Sequence, residues 1–154
     1  MHRQSGVPRK DLFITSKIWN TAQRLGDVQG AFSRSLDRLK LSYVDLCLIH
    51  WPVPGCYLST WKELEKILES GRALSIGVSN FDIRHLEELR KISGIIPAVN
   101  QIECHPLCYP SELIEYCKAF GIQVQAYAPL ARGAYFDNDV MCVLGPNTQE
   151  LLHR

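Results

Sequence analysis

Residues 43–50 read Tyr43-Val44-Asp45-Leu46-Cys47-Leu48-Ile49-His50, an apolar, β-rich run that ends in a histidine. This run lacks the strict alternation of a half-exposed strand, so it is typical of a strand buried on both faces. Similar runs occur at residues 12–18, 74–79, 98–102 and 122–128. The intervals between the five runs are long enough for a helical crossover, which parallel pairing requires.

Helical patterns fill these intervals. Residues 27–39 carry apolar side chains on one helical face. Thr60 and Glu63 have the spacing of a capping box, which predicts a helix beginning at Thr60. Asp82 is the predicted N-cap of a third helix, and a fourth opens at residues 110–111. The resulting β-α-β-α-β-α-β-α-β order predicts an α/β protein, either doubly wound or a (β/α) barrel. No G-x-G-x-x-G sequence follows the first run, which favours the barrel.

Composition excludes several classes of protein. The chain has 154 residues, 46% of them apolar, and a formal net charge of +1 at pH 7. A charge near zero argues against nucleic acid or an anionic membrane as the main partner, since both need a basic surface. No apolar run reaches the roughly 18–20 residues that span a bilayer, and residues 1–10 are too polar for a secretory signal. We therefore expect a cytoplasmic globular protein.

The cysteines favour a reducing compartment. Without a secretion signal, the six are interpreted as free thiols, namely Cys47, Cys56, Cys104, Cys108, Cys117 and Cys142. The tightest cluster, Cys104 and Cys108 around His105, lacks the second ligand pair of a zinc site. No metal site is predicted.

Polar side chains collect near the carboxyl ends of the predicted strands. They are Lys17, His50, Ser79, Asn80, Gln101 and Tyr127. Each alone has an ordinary structural explanation, such as a turn residue at Asn80 or wall packing at Tyr127. Because the carboxyl ends of parallel strands form one rim, and that rim holds the active site in barrels, we expect these side chains to converge. Asp45, in the first half of its strand, is interpreted as structural.

Five segments resemble motifs of the aldo-keto reductase family, in the family's order and spacing over about residues 6–145. They are Asp11-Leu12-Phe13-Ile14-Thr15-Ser16-Lys17-Ile18-Trp19-Asn20, residues 43–52, Gly77-Val78-Ser79-Asn80-Phe81, residues 99–106 and Tyr127-Ala128-Pro129-Leu130. The resemblance implies a (β/α)8 barrel, of which residues 1–145 would supply strands three to seven of eight. Residues 146–154 would be a divergent tail. The short loop after Pro52 is similar to that of bacterial and protozoan members.

The resemblance also implies an activity, the reduction of small aldehydes and ketones with NADPH, or with NADH as the alternative. Lys17 and His50 would be catalytic, the histidine bonding the substrate carbonyl and the lysine lowering the pKa of a general-acid tyrosine. The cofactor would contact Ser79, Asn80 and Gln101 at the nicotinamide carboxamide, Tyr127 at its ring and Leu130 at the pyrophosphate. Trp19 and Trp51 would line the substrate pocket.

The departures from the family pattern lead to further expectations. The family's catalytic aspartate and tyrosine belong to a segment that is not matched here. The residues that bind the adenosine 2′-phosphate belong to another unmatched segment. We therefore expect a weakly active or inactive fragment, either monomeric or self-associating through open sheet edges. Ala128 and Ala131 replace a serine and a glycine usual in the family. Two alternatives stay open: a non-catalytic partner-binding protein on the same scaffold, and a different barrel enzyme with a Schiff-base Lys17.

Overall fold

The computed structural model describes residues 6–133, so residues 146–154, predicted as a divergent tail, lie outside the described part. The strands are β1 (Thr15–Ile18), β2 (Val44–Ile49), β3 (Ala73–Ser79), β4 (Val99–Glu103) and β5 (Gln123–Tyr127). The helices are α1 (Asn20–Leu25), α2 (Val28–Leu39), α3 (Tyr57–Glu69), α4 (Ile83–Ile92) and α5 (Ser111–Ala119). The alternating order is as predicted, except that α1 has no counterpart in the sequence analysis.

The strands form one parallel sheet in the order β1-β2-β3-β4-β5. Every crossover passes through a helix, as parallel pairing demands. All five carboxyl ends therefore lie at the same edge of the sheet, which we call the carboxyl rim. Within residues 6–133, β1 and β5 each pair on one side only.

The two faces of the sheet differ in chemistry. One face packs against the helices, where Ile49, Ile76 and Val78 join Trp61 and Leu64 in the buried core. The strand register places Lys17, Leu48, Gly77, Gln101 and Gln125 together on the opposite face, which we call the helix-free face. Successive side chains of a strand point to opposite faces, so the polar residues at the rim share a face with one another and not with the core.

The prediction that each strand is buried on both faces holds for β2 and for the last four residues of β3. It holds only in part for β1 and β4, and it is wrong for β5. In β5, Gln123, Gln125 and Ala126 are exposed, while Val124 packs against the core. The difference has a simple cause: in the described part β5 is an edge strand, and α5 packs on its helix side.

Helix α3 begins one turn earlier than predicted. Its first residue is Tyr57, and the Thr60 hydroxyl donates to the Cys56 carbonyl at 2.9 Å instead of capping the helix. A turn that closes on Val53, whose carbonyl accepts from the amides of Cys56 and Tyr57, nucleates the helix before Thr60 is reached. The capping box predicted at Thr60 and Glu63 is therefore wrong, and the loop after Pro52 is even shorter than expected.

Helix α4 begins as predicted. The Asp82 carboxylate accepts from the His85 amide at 2.9 Å, and the His85 ring accepts from the Asp82 amide at 3.3 Å. This reciprocal pair satisfies two of the backbone donors that a helix leaves unpaired at its start. It holds the segment that leaves the carboxyl rim after β3.

Asp45 has the structural role expected of it. Its carboxylate accepts from Arg9 and from the Ile14 amide, both at 2.7 Å, which anchors the chain before β1 to β2. Partial burial by itself raises the pKa of the Asp45 carboxyl, but these two donors outweigh it, so the pKa lies below its usual value. The ionised form therefore stabilises the folded state.

Asp45→Asn should lower the free energy of unfolding at pH 7 by about 1.5–3 kcal/mol, because it weakens hydrogen bonds to a charged group. Because the pKa of Asp45 is lower in the folded state, its carboxylate stabilises the fold fully at pH values above the unfolded pKa of about 3.9. This stabilisation is lost as the pH falls through the folded pKa. The difference from the parent chain should be constant above about pH 5 and shrink below about pH 4. Urea unfolding measures it, with Asp37→Asn on the exposed face of α2 as control; a pH-independent difference would contradict this assignment.

Gly77 permits the close approach of β3 and β4. A Cβ at this position would lie 2.5 Å from the Val99 carbonyl oxygen and 2.8 Å from Leu48 Cδ2. The first of these contacts is with backbone, which cannot move aside without displacing the strand. Position 77, two residues before the end of β3, therefore requires a residue without a side chain.

Gly77→Ala should destabilise the chain by about 1–3 kcal/mol, the usual cost of overpacking. The matched control is Gly94→Ala, since a Cβ at Gly94 meets nothing within 4 Å. Urea unfolding of both variants tests this. Equal stabilities would show that the close approach at Gly77 is not required.

Candidate active site

The carboxyl rim brings the predicted site residues together. Lys17 of β1 lies opposite Leu48 of β2, and Ser79 of β3 lies opposite Gln101 of β4. Tyr127 is the last residue of β5. The expected convergence is therefore found in the geometry, whereas the roles assigned to these residues stay predictions.

Asn80 connects three strand ends. Its amide nitrogen donates to the His50 carbonyl at 3.0 Å, and its amide oxygen accepts from the Tyr127 hydroxyl at 2.9 Å. The residue has φ 62°, in the left-handed region that asparagine tolerates better than most residues. This backbone turn directs the side chain across the rim instead of onward into α4.

Ser79 is fully buried, and its hydroxyl is already engaged. It donates to the Gln101 carbonyl at 2.8 Å and accepts from the Asn80 amide at 3.1 Å. The Asn80 backbone amide also donates to the Gln101 carbonyl, at 2.9 Å. These bonds fix the ends of β3 and β4 relative to each other.

Lys17, Gln101 and Gln125 form a chain of hydrogen bonds across the helix-free face. The Lys17 ammonium donates to the Gln101 side-chain oxygen. The Gln101 amide nitrogen donates in turn to the Gln125 side-chain oxygen at 2.7 Å. Gln125 is not among the predicted site residues, although its position two residues before Tyr127 puts it on the same face of β5.

Lys17 and His50 influence each other electrostatically. Burial lowers the pKa of the His50 imidazole, and the positive charge of Lys17 lowers it further. Burial also lowers the pKa of the Lys17 ammonium. His50 is consequently a neutral imidazole at pH 7, able to donate one N–H bond without a charge of its own.

Two tryptophans flank His50. The Trp19 ring meets the His50 ring edge-on, with centroids 4.6 Å apart, and Trp19 is 54% exposed. Trp51 is 44% exposed, and its carbonyl accepts from the buried Gln23 amide at 3.0 Å. Gln23, which sequence analysis did not single out, thus ties α1 to the loop after β2.

The segment after β5 has an unusual backbone. Ala128, Ala131 and Arg132 all have positive φ, at 48°, 43° and 54°. Such angles cost a residue with a Cβ roughly 1–2 kcal/mol of conformational free energy. This cost explains why the family that the sequence resembles usually has a glycine at the position of Ala131. Leu130, predicted to lie along a pyrophosphate, is 66% exposed.

Tyr127 is held in its protonated form. Burial raises the pKa of the Tyr127 phenol, and the negative charge of Glu103 raises it further. At neutral pH the hydroxyl therefore keeps the proton that it donates to Asn80.

Other classes of site find little support in residues 6–133. No group of three or more histidine, cysteine or acidic side chains in this range is arranged to hold a metal ion. The five cysteines in the range are free thiols. No helix there has the length and apolar character needed to cross a membrane.

Comparison with known proteins identifies the family. The family model described as "Aldo/keto reductase family" matches residues 2–141. The chain is 50% identical to glyoxal reductase of Bacillus subtilis (strain 168) over 139 residues. This match covers 90% of this chain and 50% of the relative. The chain is 47% identical over 131 residues to 9,11-endoperoxide prostaglandin H2 reductase of Trypanosoma cruzi (strain CL Brener), covering 85% of this chain and 46% of the relative.

Solved structures agree. A crystal structure of an aldo-keto reductase from a Medee basin deep-sea metagenome library superposes with a TM-score of 0.90 at 39% identity, covering 95% of this chain and 55% of that one. An aldo-keto reductase of Bombyx mori in complex with NADP superposes with a TM-score of 0.76 at 38% identity, covering 82% and 44%.

The chain thus spans about half the length of the relatives that it matches. Its parallel sheet superposes on about half of a solved aldo-keto reductase, which confirms the prediction of a partial (β/α)8 barrel. With the family model matching nearly the whole chain and five motifs in order, the chain belongs to the aldo/keto reductase family.

Proposed function

We propose that residues 1–145 form the nicotinamide-facing part of an NADPH-dependent reductase of small aldehydes and ketones, with NADH as the alternative cofactor. The observation that carries this proposal is the convergence at one rim of the end of β2 at His50, bonded to the Asn80 amide, and the Lys17 ammonium, bonded to the Gln101 amide. The glyoxal reductase relative and the NADP complex of a structural neighbour support it.

The amides at the rim suit a nicotinamide carboxamide. A glutamine side chain has two acceptor lone pairs and two N–H donors. Gln101 uses one of each, toward Lys17 and Gln125, and keeps one acceptor and one donor. A primary carboxamide needs this combination. Asn80 lies alongside and keeps one acceptor position on its side-chain oxygen, whereas the buried Ser79 hydroxyl would act by holding Asn80 in place.

The remaining contacts follow from exposure. The Tyr127 ring is a partly exposed surface on which a flat ring can stack, and exposed Leu130 lies beyond it for the pyrophosphate. When bound, NADPH supplies the hydride; the protein supplies position and charge stabilisation. Trp19 and Trp51 would form two walls around a small carbonyl substrate.

His50 and Lys17 act on the carbonyl in different ways. His50 donates an N–H bond to the carbonyl oxygen and so stabilises the negative charge that develops there. A neutral donor is suited to this task because it gains strength as the oxygen becomes anionic. Lys17 provides a fixed positive charge that favours the phenolate form of a nearby general-acid tyrosine. The resemblance assigns that tyrosine to a segment outside the five matched ones.

The proposal therefore treats this chain as one part of a reductase, with weak or no turnover by itself. The edge strands β1 and β5 each have one row of backbone groups that no strand of residues 6–133 pairs with. Such edges favour association with further strands, from a longer polypeptide or from a second copy.

NADPH binding by the purified chain tests the cofactor assignment. We expect the parent chain to bind NADPH, as monitored by the fluorescence of the cofactor. Asn80→Gly should bind NADPH about tenfold more weakly, because it loses one hydrogen bond to the cofactor and the bonds that hold the rim. Glycine accepts the left-handed backbone of Asn80, so the substitution removes the side chain without adding strain.

The matched control is Lys40→Gly, since Lys40 also has positive φ, at 55°, and follows α2 before β2 begins. Circular dichroism verifies that all three chains fold. Absence of NADPH binding by the folded parent chain would overturn the cofactor assignment. Equal affinities of the parent and Asn80→Gly would remove Asn80 from the binding site.

The pKa of His50 tests the electrostatic pairing. Lys17→Met should raise the pKa of His50, because the repulsion from the ammonium disappears, yet leave it below the usual value, because burial persists. Lys10→Met, in the segment that precedes β1, should leave the pKa of His50 unchanged. Titration of the His50 ring proton by NMR measures both; an unshifted His50 in Lys17→Met would refute the pairing.

A further inference from the structure

We propose that Gln125 is a positioning residue that fixes the orientation of the Gln101 side-chain amide for the cofactor carboxamide. This inference rests on the proposed function, in which Gln101 contacts NADPH. It adds a residue of β5 that none of the five matched motifs contains.

The geometry begins with the strand register. Gln101 of β4 and Gln125 of β5 are directly opposite each other in the parallel pairing, and both point to the helix-free face. The Gln101 amide nitrogen reaches the Gln125 side-chain oxygen at 2.7 Å, within ordinary hydrogen-bond distance. Both side chains are held at the rim by strand backbones, which are less variable in position than loops.

The direction of the chain of bonds follows from Lys17. An ammonium group has three donors and no acceptor, so the group that faces it must present an oxygen. Gln101 therefore turns its oxygen to Lys17 and its NH2 group away from it. The next residue must accept, and Gln125 presents its own oxygen there. A rotated Gln101 amide would put an N–H donor against the cation and lose both bonds.

This fixed orientation matters for binding. Two bonds on opposite ends of the Gln101 amide restrict rotation about its last side-chain torsion, which is otherwise broad. A donor and an acceptor that are already in place lose less freedom when they capture a ligand, and this raises affinity. Without the Gln125 acceptor, only Lys17 holds the Gln101 amide.

A second glutamine on β5 provides a matched control. Gln123 lies two residues earlier on the same face and is also exposed, but its amide donates only to the neighbouring Val124 carbonyl, at 2.8 Å. It pairs in register with Val99, which has no polar side chain. If Gln125 were only an exposed residue of an edge strand, substitutions at the two positions would have the same effect.

The experiment compares the parent chain with Gln125→Met, Gln125→Glu and Gln123→Met. The first readout is the side-chain amide resonance of Gln101 in a chain labelled with 15N-glutamine, assigned by its loss in Gln101→Leu. The second is the dissociation constant of NADPH by fluorescence. Gln125→Met keeps the length of the side chain and removes the acceptor, whereas Gln125→Glu keeps an acceptor oxygen.

In Gln125→Met, we expect the Gln101 amide protons to move upfield and exchange faster, and NADPH binding to weaken by about threefold to tenfold, the range for one hydrogen bond. Gln125→Glu should restore the amide shift and bind NADPH more tightly than Gln125→Met. Gln123→Met should resemble the parent chain in both readouts. A merely structural role of Gln125 would not move the Gln101 resonance.

The two readouts separate the possible failures. An unchanged Gln101 resonance in Gln125→Met overturns the inference, whether or not the chain binds NADPH. A shifted resonance with an unchanged NADPH affinity also overturns it, because the bond would then have no consequence for binding. Failure of the parent chain to bind NADPH overturns the proposed function, and this outcome is visible in the parent chain alone.

Discussion

The bonds made by Asn80 constrain four of the five strand ends at the carboxyl rim. One side chain joins the ends of β2, β3 and β5, by donating to the His50 carbonyl and accepting from the Tyr127 hydroxyl. These contacts are possible because the residue adopts a left-handed backbone directly after β3. A rim of parallel strands has no hairpins to connect neighbouring ends, so bonds from side chains add to those of the backbone ladder there. The candidate site is therefore held by the same bonds that hold the strand ends.

The division of the sheet into two faces makes the site possible. The helix-facing side is an apolar core around Trp61, Leu64 and Ile76, which stabilises the fold by burial. Near the rim, the helix-free side carries a lysine and two glutamines that bond to one another, and a tyrosine that bonds to Asn80. Gln125 is exposed and the other three side chains are half-buried, so these bonds satisfy polar groups that partial burial would otherwise leave unpaired. The charge of Lys17 gives the network its direction and adds to burial in lowering the pKa of His50.

Much of the fold follows from local patterns. Apolar runs locate the five strands, and a capping residue at Asp82 locates the start of α4, because each of these signals lies within a few residues of its effect. The failures have non-local causes. The turn at Val53 starts α3 before the capping signal at Thr60, and the edge position of β5 leaves exposed a run that reads as buried. Neither the turn at Val53 nor the edge position of β5 can be inferred from the hydrophobic pattern of the segment that it affects.

The sequence by itself determined the family, the parallel α/β order and the candidate residues at the rim, since motifs and strand ends are properties of short segments. Only the tertiary structure decided which of these residues meet. Lys17 and Gln101 are 84 residues apart, and Asn80 and Tyr127 are 47 apart. Alternation along a strand gives the face of a side chain but not its partner across the sheet, which depends on register. Gln125 and Gln23 therefore became visible only when the strands and α1 were in place, and so did the effect of Lys17 on His50.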